Sequence, residues 1–194
     1  MMVKVIVEPI PPVYACCDAL VTAADVASAS RFQNERRRAE HLAWRRVVRR
    51  ELGRGVVIDY NDVGAPTVNT PNTHISVAHG GGYVAVAIAA ECVGIDIESV
   101  ERDFERAKER YMSPEEMALA SDKAWAAKVW TAKEAMYKLY GCRGIDLRND
   151  LSINDVDPTG LHLKGKLVNR CNALVDISTT RDNMIVAVAR FEHI

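Results

Sequence analysis

The sequence predicts an α+β fold of two pseudo-symmetric lobes, each with a long helix packed on a small antiparallel sheet. The main observation is an internal repeat, in which six residues recur at a constant offset of 102 positions. Each half also contains a long helical pattern, and no Gly/Ser-rich or Pro-rich linker separates the halves. We therefore expect an N-terminal lobe over residues 1–100 and a C-terminal lobe over residues 101–194, sharing one interface. The repeated residues are Ile75-Ser76 and Val84-Ala85-Val86-Ala87 in the first half, and Ile177-Ser178 and Val186-Ala187-Val188-Ala189 in the second.

In the first half, residues 3–7 are apolar and β-branched, which predicts a strand that stops at the prolines beginning with Pro9. The alanine-rich residues 15–30 predict one helix. A longer helix is predicted over 35–52, ending before Gly53. Asn, Pro and Gly over 61–72 predict a loop. Three strands are then expected, near residues 75–78, 83–89 and 93–97.

In the second half, Ser113-Pro114-Glu115-Glu116 is typical of a helix start. Ser is a favoured cap, Pro fits the first helical position, and acids interact well with the positive end of the helix dipole. Residues 124–140 predict a long helix that ends at Gly141, and the remaining residues alternate short strands and turns. Both halves thus combine a long helix with strands, as the repeat requires.

Composition narrows the class of protein. The chain has 194 residues, a formal net charge of −1 and 48% hydrophobic residues, which is enough apolar material for a sizeable core. Its five cysteines contain no Cys-x-x-Cys pair, so neither a zinc site nor a disulfide scaffold is indicated. The N-terminal apolar stretch is too short for a signal peptide, and no segment approaches the roughly 20 apolar residues of a membrane span. We expect a soluble, cytoplasmic protein that does not contact membranes.

Positive charge is concentrated in one segment. Residues 31–54 contain nine arginines and three acids. A basic block of this kind predicts a polyanionic ligand or an acidic partner. The alternative interpretation is a solvated helix face whose charges pair within the helix.

Two short segments contain the candidate chemistry. The first, VGIDIE, reads as a strand, and Asp96 and Glu98 point to the same face because they are two residues apart. The second, WTAKEAMYK, reads as a helix in which Glu134 and Lys138 lie one turn apart. Three carboxylates and a lysine suit a Mg²⁺ ion that holds a pyrophosphate, since Mg²⁺ prefers oxygen ligands and leaves sites for phosphate. The alternative is that the strand acids are solvated or pair with arginines, and that Glu134 and Lys138 form an ordinary exposed pair.

The pair VGIDIE and WTAKEAMYKLYG resembles the signature of the 4'-phosphopantetheinyl transferases of the larger, two-lobed type. The upstream segment ISVAHGGGYVAV is similar to a hairpin of that family, and the likeness runs from about residue 31 to the C-terminus. The resemblance implies the same pseudo-twofold fold. It also implies transfer of the 4'-phosphopantetheine arm of coenzyme A to a serine of an apo acyl or peptidyl carrier protein, with release of 3',5'-ADP.

The resemblance assigns roles to the motif residues. It implies that Asp96, Glu98 and Glu134 hold Mg²⁺ and that Lys138 contacts a phosphate, where it offsets charge as the bond breaks. The base that takes the serine proton is left open between Glu134 and Glu116. The protein's part is positioning and charge stabilisation.

The resemblance also implies contacts to coenzyme A. His79 would contact a phosphate, and the cluster of residues 36–38 would bind the 3'-phosphate, with Arg37 preferred over Arg36. Arginine suits this role because its planar fork can bind two phosphate oxygens. Two residues depart from the family pattern: Ala65 replaces a lysine of a Gly-Lys-Pro turn, and Ala78 replaces a serine.

Two other functions compete with transfer. A nucleic-acid-binding module would use the arginines of residues 31–54, but it leaves the three carboxylates without a role, since acids repel phosphates. An inactive scaffold relative is consistent with Ala65 and Ala78, whereas the intact carboxylates oppose it. We expect an enzyme that binds coenzyme A and a carrier protein, does not bind nucleic acid, and acts as a monomer.

Overall fold

A computed structural model of the chain describes residues 2–16 and 18–193, and it shows an α+β protein with antiparallel sheets. The predicted fold class is therefore confirmed. The strands are β1 (Lys4–Pro9), β2 (Ile58–Tyr60), β3 (Pro66–Val68), β4 (His74–Gly80), β5 (Tyr83–Ala89), β6 (Val93–Ser99), β7 (Leu151–Val156), β8 (His162–Leu167), β9 (Asn172–Thr179) and β10 (Met184–Phe191). One sheet has the order β1-β5-β4 and another has the order β6-β10-β9-β8-β7, while β2 and β3 form a two-stranded ribbon.

Two long helices pack on these sheets. The third helix, α3 (Glu35–Leu52), begins where the Asn34 side chain accepts hydrogen bonds from the first-turn amides, and it ends at Gly53. The fifth helix, α5 (Trp125–Tyr140), ends at Gly141, whose φ of 58° is in the left-handed region that glycine adopts at little cost. Both predicted long helices are confirmed. Among the described residues, no helix is long and apolar enough to cross a membrane.

The structure corrects two predictions about short elements. Residues 15–30 do not form one helix: α1 (Val13–Cys16) and α2 (Ala23–Ala29) are separate, because Thr22 and Asp25 form a capping box that starts a new helix. Residue 17 lies outside the described residues. The predicted loop over 61–72 is also partly wrong, since it contains β3. Ser113 caps α4 (Pro114–Ala118), as the sequence predicts, and a 3₁₀ turn spans Glu105–Arg110.

The sequence repeat coincides with two hairpins, β4–β5 and β9–β10, but their strands pair in different registers. Ile75 lies opposite Ile88, whereas the repeated Ile177 lies opposite Ala187 rather than residue 190. The two turns differ in length, which shifts the pairing. Strand β6 also belongs to the sheet of the second half, because it pairs with β10. The pseudo-symmetry and the boundary at residues 100 and 101 stay predictions.

Two glycines bring the elements around β6 close together. A Cβ atom on Gly94 would lie 1.9 Å from the Ala135 carbonyl oxygen of α5, so only glycine lets the helix backbone approach this strand. A Cβ atom on Gly80 would lie 2.3 Å from the Ile97 carbonyl oxygen. Strand β4 and helix α5 therefore both reach β6, and this arrangement places the motif residues of the two halves side by side.

Candidate active site

A cleft of about 540 Å³ opens between α3, β4, β6 and the end of α5. Four of the candidate residues line it, namely Arg37, His79, Asp96 and Lys138. They come from four different elements and from both halves of the sequence. The remaining candidates, Arg36, Glu98, Glu116 and Glu134, are not among the residues that line this cleft.

Asp96 lies in the buried part of β6 and lines the cleft. Lys138 Nζ donates to Asp96 Oδ1 at 2.8 Å and to the Ile95 carbonyl oxygen at 2.9 Å. Asp96 Oδ2 is buried and has no hydrogen-bond partner among the described residues. Burial raises the pKa of Asp96, and the nearby Lys138 ammonium opposes this shift. One oxygen of this carboxylate is thus free to bind a further cation.

Glu98 and Glu134 lie beside Asp96. Glu98 Oε1 accepts hydrogen bonds from Arg102 Nη1 at 2.5 Å and from Trp130 Nε1 at 3.1 Å. Burial raises the pKa of Glu98, the Arg102 charge opposes the shift and the Asp96 charge adds to it. Burial also raises the pKa of Glu134, with a further contribution from Asp96. The three carboxylates therefore repel one another, as acids that share a cation site do before the cation binds.

His79 joins Arg37 to a buried acid that the sequence analysis did not single out. Arg37 Nη1 lies 3.2 Å from His79 Nε2, and His79 Nδ1 lies 3.4 Å from Glu40 Oε2. Because arginine can only donate, Nε2 accepts and Nδ1–H donates to Glu40. Burial lowers the pKa of His79, the Glu40 charge opposes this, and the Arg37 charge adds to it. Arg36 also pairs with Glu40, at 3.0 Å, but its side chain lines a separate groove.

The sequence matches the model of one known protein family. The sequence model of the 4'-phosphopantetheinyl transferase superfamily matches residues 92–188, which include β6, α5 and most of the second sheet. The chain belongs to the 4'-phosphopantetheinyl transferase superfamily. The predicted recognition is confirmed at this level. No curated protein matches the chain.

Members of the 4'-phosphopantetheinyl transferase superfamily use coenzyme A and typically a divalent metal ion. The chemistry of the carboxylates fits such an ion. Among the described residues, Asp96 Oδ2 is a buried carboxylate oxygen without a hydrogen-bond partner, and the Asp96 and Glu134 charges repel each other. In geometry, residues 2–16 and 18–193 contain no group of three or more His, Cys, Asp or Glu side chains that could hold a metal as they stand. Lys138 and Arg102 instead pair with Asp96 and Glu98.

Glu116, one of the two candidate bases of this transferase-superfamily chain, has a different environment. It is 2% exposed, and Lys133 Nζ donates to it at 2.8 Å. The backbone amides of Ser113 and Ile153 donate to its two carboxylate oxygens at 2.8 and 2.7 Å. Both oxygens are therefore used in a buried network, and this environment does not suit a base that must reach a substrate proton.

The two departures from the superfamily pattern both lie in the cleft, and so does an arginine that the sequence analysis did not consider. Ala65 and Ala78 line the cleft, as does Arg143, which follows α5. The Arg143 guanidinium donates to the Asp62 carbonyl oxygen, four residues before Pro66, and so connects the two walls. It supplies a positive charge beside the turn that lacks a lysine.

The same cleft has an aromatic wall around a buried histidine. His41 is 8% exposed, and burial lowers its pKa to about 4, with a further contribution from the Arg45 charge. In the unfolded chain the pKa of histidine is about 6.5. The unfolded chain therefore binds more protons than the folded protein between these values, so acid destabilises the fold through His41.

This environment predicts a pH effect on stability. The difference in free energy of unfolding between the wild type and a His41→Phe variant should be constant above pH 7. From pH 6.5 toward pH 4 the wild type should lose stability relative to the variant, by up to about 1.4 kcal/mol per pH unit. Urea unfolding of both proteins at several pH values measures the difference. The variant provides the control, because the carboxylates of the cleft titrate in both proteins. A difference in stability that is the same at pH 4.5 and pH 7.5 would contradict the buried neutral histidine.

Proposed function

We propose that the protein transfers the 4'-phosphopantetheine arm of coenzyme A to a serine of an apo acyl or peptidyl carrier protein, in a Mg²⁺-dependent reaction that releases 3',5'-ADP. The observation that supports this proposal most is the ion pair between Asp96 on β6 and Lys138 on α5, in the cleft that Arg37 and His79 also line. The first pair suits a reacting pyrophosphate, and the second suits the remaining phosphate of the same molecule.

In this proposal Lys138 contacts a phosphate oxygen of coenzyme A. Its ammonium is partly exposed and needs only to turn from Asp96 to a ligand in the cleft. A mobile ammonium can follow the charge that develops on the leaving 3',5'-ADP. A divalent ion held by Asp96, Glu98 and Glu134 would neutralise the pyrophosphate and polarise the phosphorus that is attacked.

Glu134 is the base that we propose for the serine hydroxyl. In the balanced step, the serine oxygen forms a bond to phosphorus, the bond from phosphorus to the 3',5'-ADP oxygen breaks, and the serine proton passes to Glu134. Burial raises the pKa of Glu134, which favours proton acceptance, and the residue is only partly buried. Glu116, the alternative in the sequence analysis, is tied to Lys133 and two amides.

The nucleic-acid alternative finds no support in the arginine-rich helix. Arg45 and Arg49 are buried and pair with Asp25, and Arg46 pairs with Asp18. Arg50 pairs with Glu8. These four arginines attach α3 to the neighbouring segments, so their charges are neutralised locally and are not free to follow a phosphate backbone together.

The direct test is incubation of the protein with coenzyme A, Mg²⁺ and a panel of apo carrier proteins, followed by intact-mass measurement. We expect one carrier to gain the mass of a single phosphopantetheine group, and its serine-to-alanine variant to gain none. Absence of any mass gain across acyl and peptidyl carriers would overturn the proposal. We further propose that the protein acts as a cytoplasmic monomer, with the lobes 1–100 and 101–194 closing on one site.

The Arg37 contact leads to a specific prediction for coenzyme A binding. Replacing Arg37 by Ala should weaken binding of coenzyme A by about 1–3 kcal/mol, because a charge-assisted bond to the 3'-phosphate is lost. Dephospho-coenzyme A lacks that phosphate, so its affinity should change little. Titration calorimetry of both ligands measures the effect.

The matched control for this prediction is Arg36→Ala. Arg36 shares the Glu40 carboxylate with Arg37 but faces a separate groove. This variant should discriminate between the two ligands as the wild type does. If the Arg37 variant also keeps the wild-type discrimination, Arg37 does not bind the 3'-phosphate.

A further inference from the structure

One wall of the cleft is built from aromatic side chains. Phe32, His41, Trp44 and Tyr60 all line it. The His41 ring lies 5.2 Å from the Phe32 ring and 6.2 Å from the Trp44 ring, measured between centroids. Phe32 and Tyr60 are 38% and 46% exposed, so part of each ring is open to the cleft that it lines. The wall thus presents apolar ring surface to whatever enters the cleft.

Arg45 fixes the protonation of His41. Arg45 Nη1 lies 3.2 Å from His41 Nδ1, and arginine has donors but no acceptor, so Nδ1 must accept this hydrogen bond. The single proton of the neutral ring is therefore on Nε2. Arg45 is itself held by an ion pair to Asp25 at 3.1 Å and by a hydrogen bond to the Tyr60 hydroxyl at 2.8 Å. It also stacks on Trp44 at 4.1 Å, so the tautomer is set by a rigid arrangement.

The Nε2–H group of His41 has no hydrogen-bond partner among residues 2–16 and 18–193. In the part of the chain that the structure describes, two buried side-chain polar atoms lack a hydrogen bond, His41 Nε2 and Asp96 Oδ2. Both belong to residues that line the same cleft. A buried donor without an acceptor is costly, so its presence beside a cleft calls for an explanation, and a bound ligand that accepts the hydrogen bond supplies one.

The surroundings determine the kind of acceptor. His41 is neutral at physiological pH, so it has no charge with which to attract a phosphate. The cationic side chains that line the cleft include Arg37, Lys138 and Arg143. Aromatic walls favour a flat heterocycle, which can pack on the rings and offer a ring nitrogen as a neutral acceptor. A purine base meets both requirements.

We propose that His41 reads the nucleobase of the bound co-substrate, with Nε2–H donating to a ring nitrogen of the adenine against the wall formed by Phe32, Trp44 and Tyr60. This assignment rests on the proposed function for the identity of the nucleotide, which is the adenosine 3',5'-bisphosphate half of coenzyme A. The hydrogen bond selects for a base with an acceptor at that position, while the arginine and lysine side chains bind the phosphates.

The experiment compares two probes by titration calorimetry. Adenosine 3',5'-bisphosphate contains the base, and ribose 3,5-bisphosphate contains the same phosphates without it. In the His41→Phe variant the ring packing is retained and the donor is lost. We expect the affinity for adenosine 3',5'-bisphosphate to fall about 3- to 10-fold, and the affinity for ribose 3,5-bisphosphate to stay within about twofold of wild type.

A second variant separates the donor from the support that His41 gives to Arg45. His41→Gln restores both a donor and an acceptor, and it should recover part of the lost affinity for the base-containing probe. Thermal melting of all three proteins confirms that they are folded. An equal loss for both probes would overturn the proposal, because His41 would then act on the phosphate groups or on the shape of the cleft. An unchanged affinity for both probes would overturn it as well.

Failure of the transferase assignment gives a different result. If no carrier protein is modified while adenosine 3',5'-bisphosphate binds in a His41-dependent way, the base-reading role stands and the reaction must be sought elsewhere. If transfer occurs but the KM for coenzyme A is the same in wild type and His41→Phe, transfer stands and the base-reading role is wrong.

Discussion

Replacing Asp96 by Asn should reduce phosphopantetheine transfer by about 100- to 1,000-fold while leaving the protein folded. The reason is that, among the described residues, Asp96 has the one buried carboxylate oxygen without a hydrogen-bond partner, and its other oxygen accepts from Lys138. An amide keeps the size of the side chain and removes its charge. The rate is measured by carrier-protein mass gain at saturating coenzyme A and Mg²⁺.

Stability should respond in the opposite direction. In EDTA the melting temperature of Asp96→Asn should equal or exceed that of the wild type, because the repulsion that raises the pKa of Glu134 is relieved. Mg²⁺ with coenzyme A should raise the melting temperature of the wild type more than that of the variant. The exposed Asp155 on β7 provides a matched control, and Asp155→Asn should be fully active. Wild-type activity in Asp96→Asn, or wild-type turnover that survives excess EDTA, would contradict the cation site.

The second large effect concerns stability and the pair formed by Lys133 and Glu116. Replacing Lys133 by Met should lower the free energy of unfolding by about 3–5 kcal/mol, because it leaves a buried carboxylate without its cation. The Lys133 side chain is fully buried, and Nζ donates at 2.7–2.8 Å to Glu116 and to the carbonyl oxygens of Tyr111, Leu147 and Leu151. The measurement is urea unfolding followed by fluorescence of the buried Trp125.

Two further variants make this prediction specific. Lys123→Met removes an exposed lysine ten residues earlier in the chain and should change stability by less than about 0.5 kcal/mol. The double variant Lys133→Met with Glu116→Gln should be more stable than Lys133→Met alone, since no unpaired charge stays buried. If Glu116→Gln alone loses transfer while its unfolding curve is unchanged, Glu116 takes part in the reaction, and the structural role assigned to it is wrong.

The elements that depend on short-range signals could be predicted from the sequence. Gly53 ends α3 and Ser113 caps α4, as the sequence predicts, because capping needs only a few neighbouring residues. The break within residues 15–30 shows where such reasoning stopped short. Thr22 and Asp25 have the spacing of a capping box, which indicates a helix start within the segment. The prediction followed the alanine content instead and gave one helix.

The candidate site was predictable only in part, since its geometry depends on contacts that are distant in the sequence. The resemblance predicted that Asp96 and Lys138 belong to one site, and Lys138 Nζ lies 2.8 Å from Asp96 Oδ1 in the structure. It could not show that Glu116 is buried against Lys133, because the same acid can be a base or half of an ion pair depending on what surrounds it. His41 was missed altogether, since its significance comes from an unpaired nitrogen that no sequence pattern reveals.

The pairing of β6 with β10 also has a consequence for how the protein is made. The strand that contains Asp96 and Glu98 is one of the two edge strands of its sheet, and its ladder partner is β10, Met184–Phe191. At the usual speed of translation, roughly 4–18 seconds pass between synthesis of Asp96 and arrival of β10 at the ribosome. During that interval the apolar residues Val93, Ile95 and Ile97 lack this ladder partner, and an unpaired apolar strand is open to pairing with other chains. A nascent chain that stalls before Met184 would already contain every candidate site residue, yet it would lack the backbone that holds them in place.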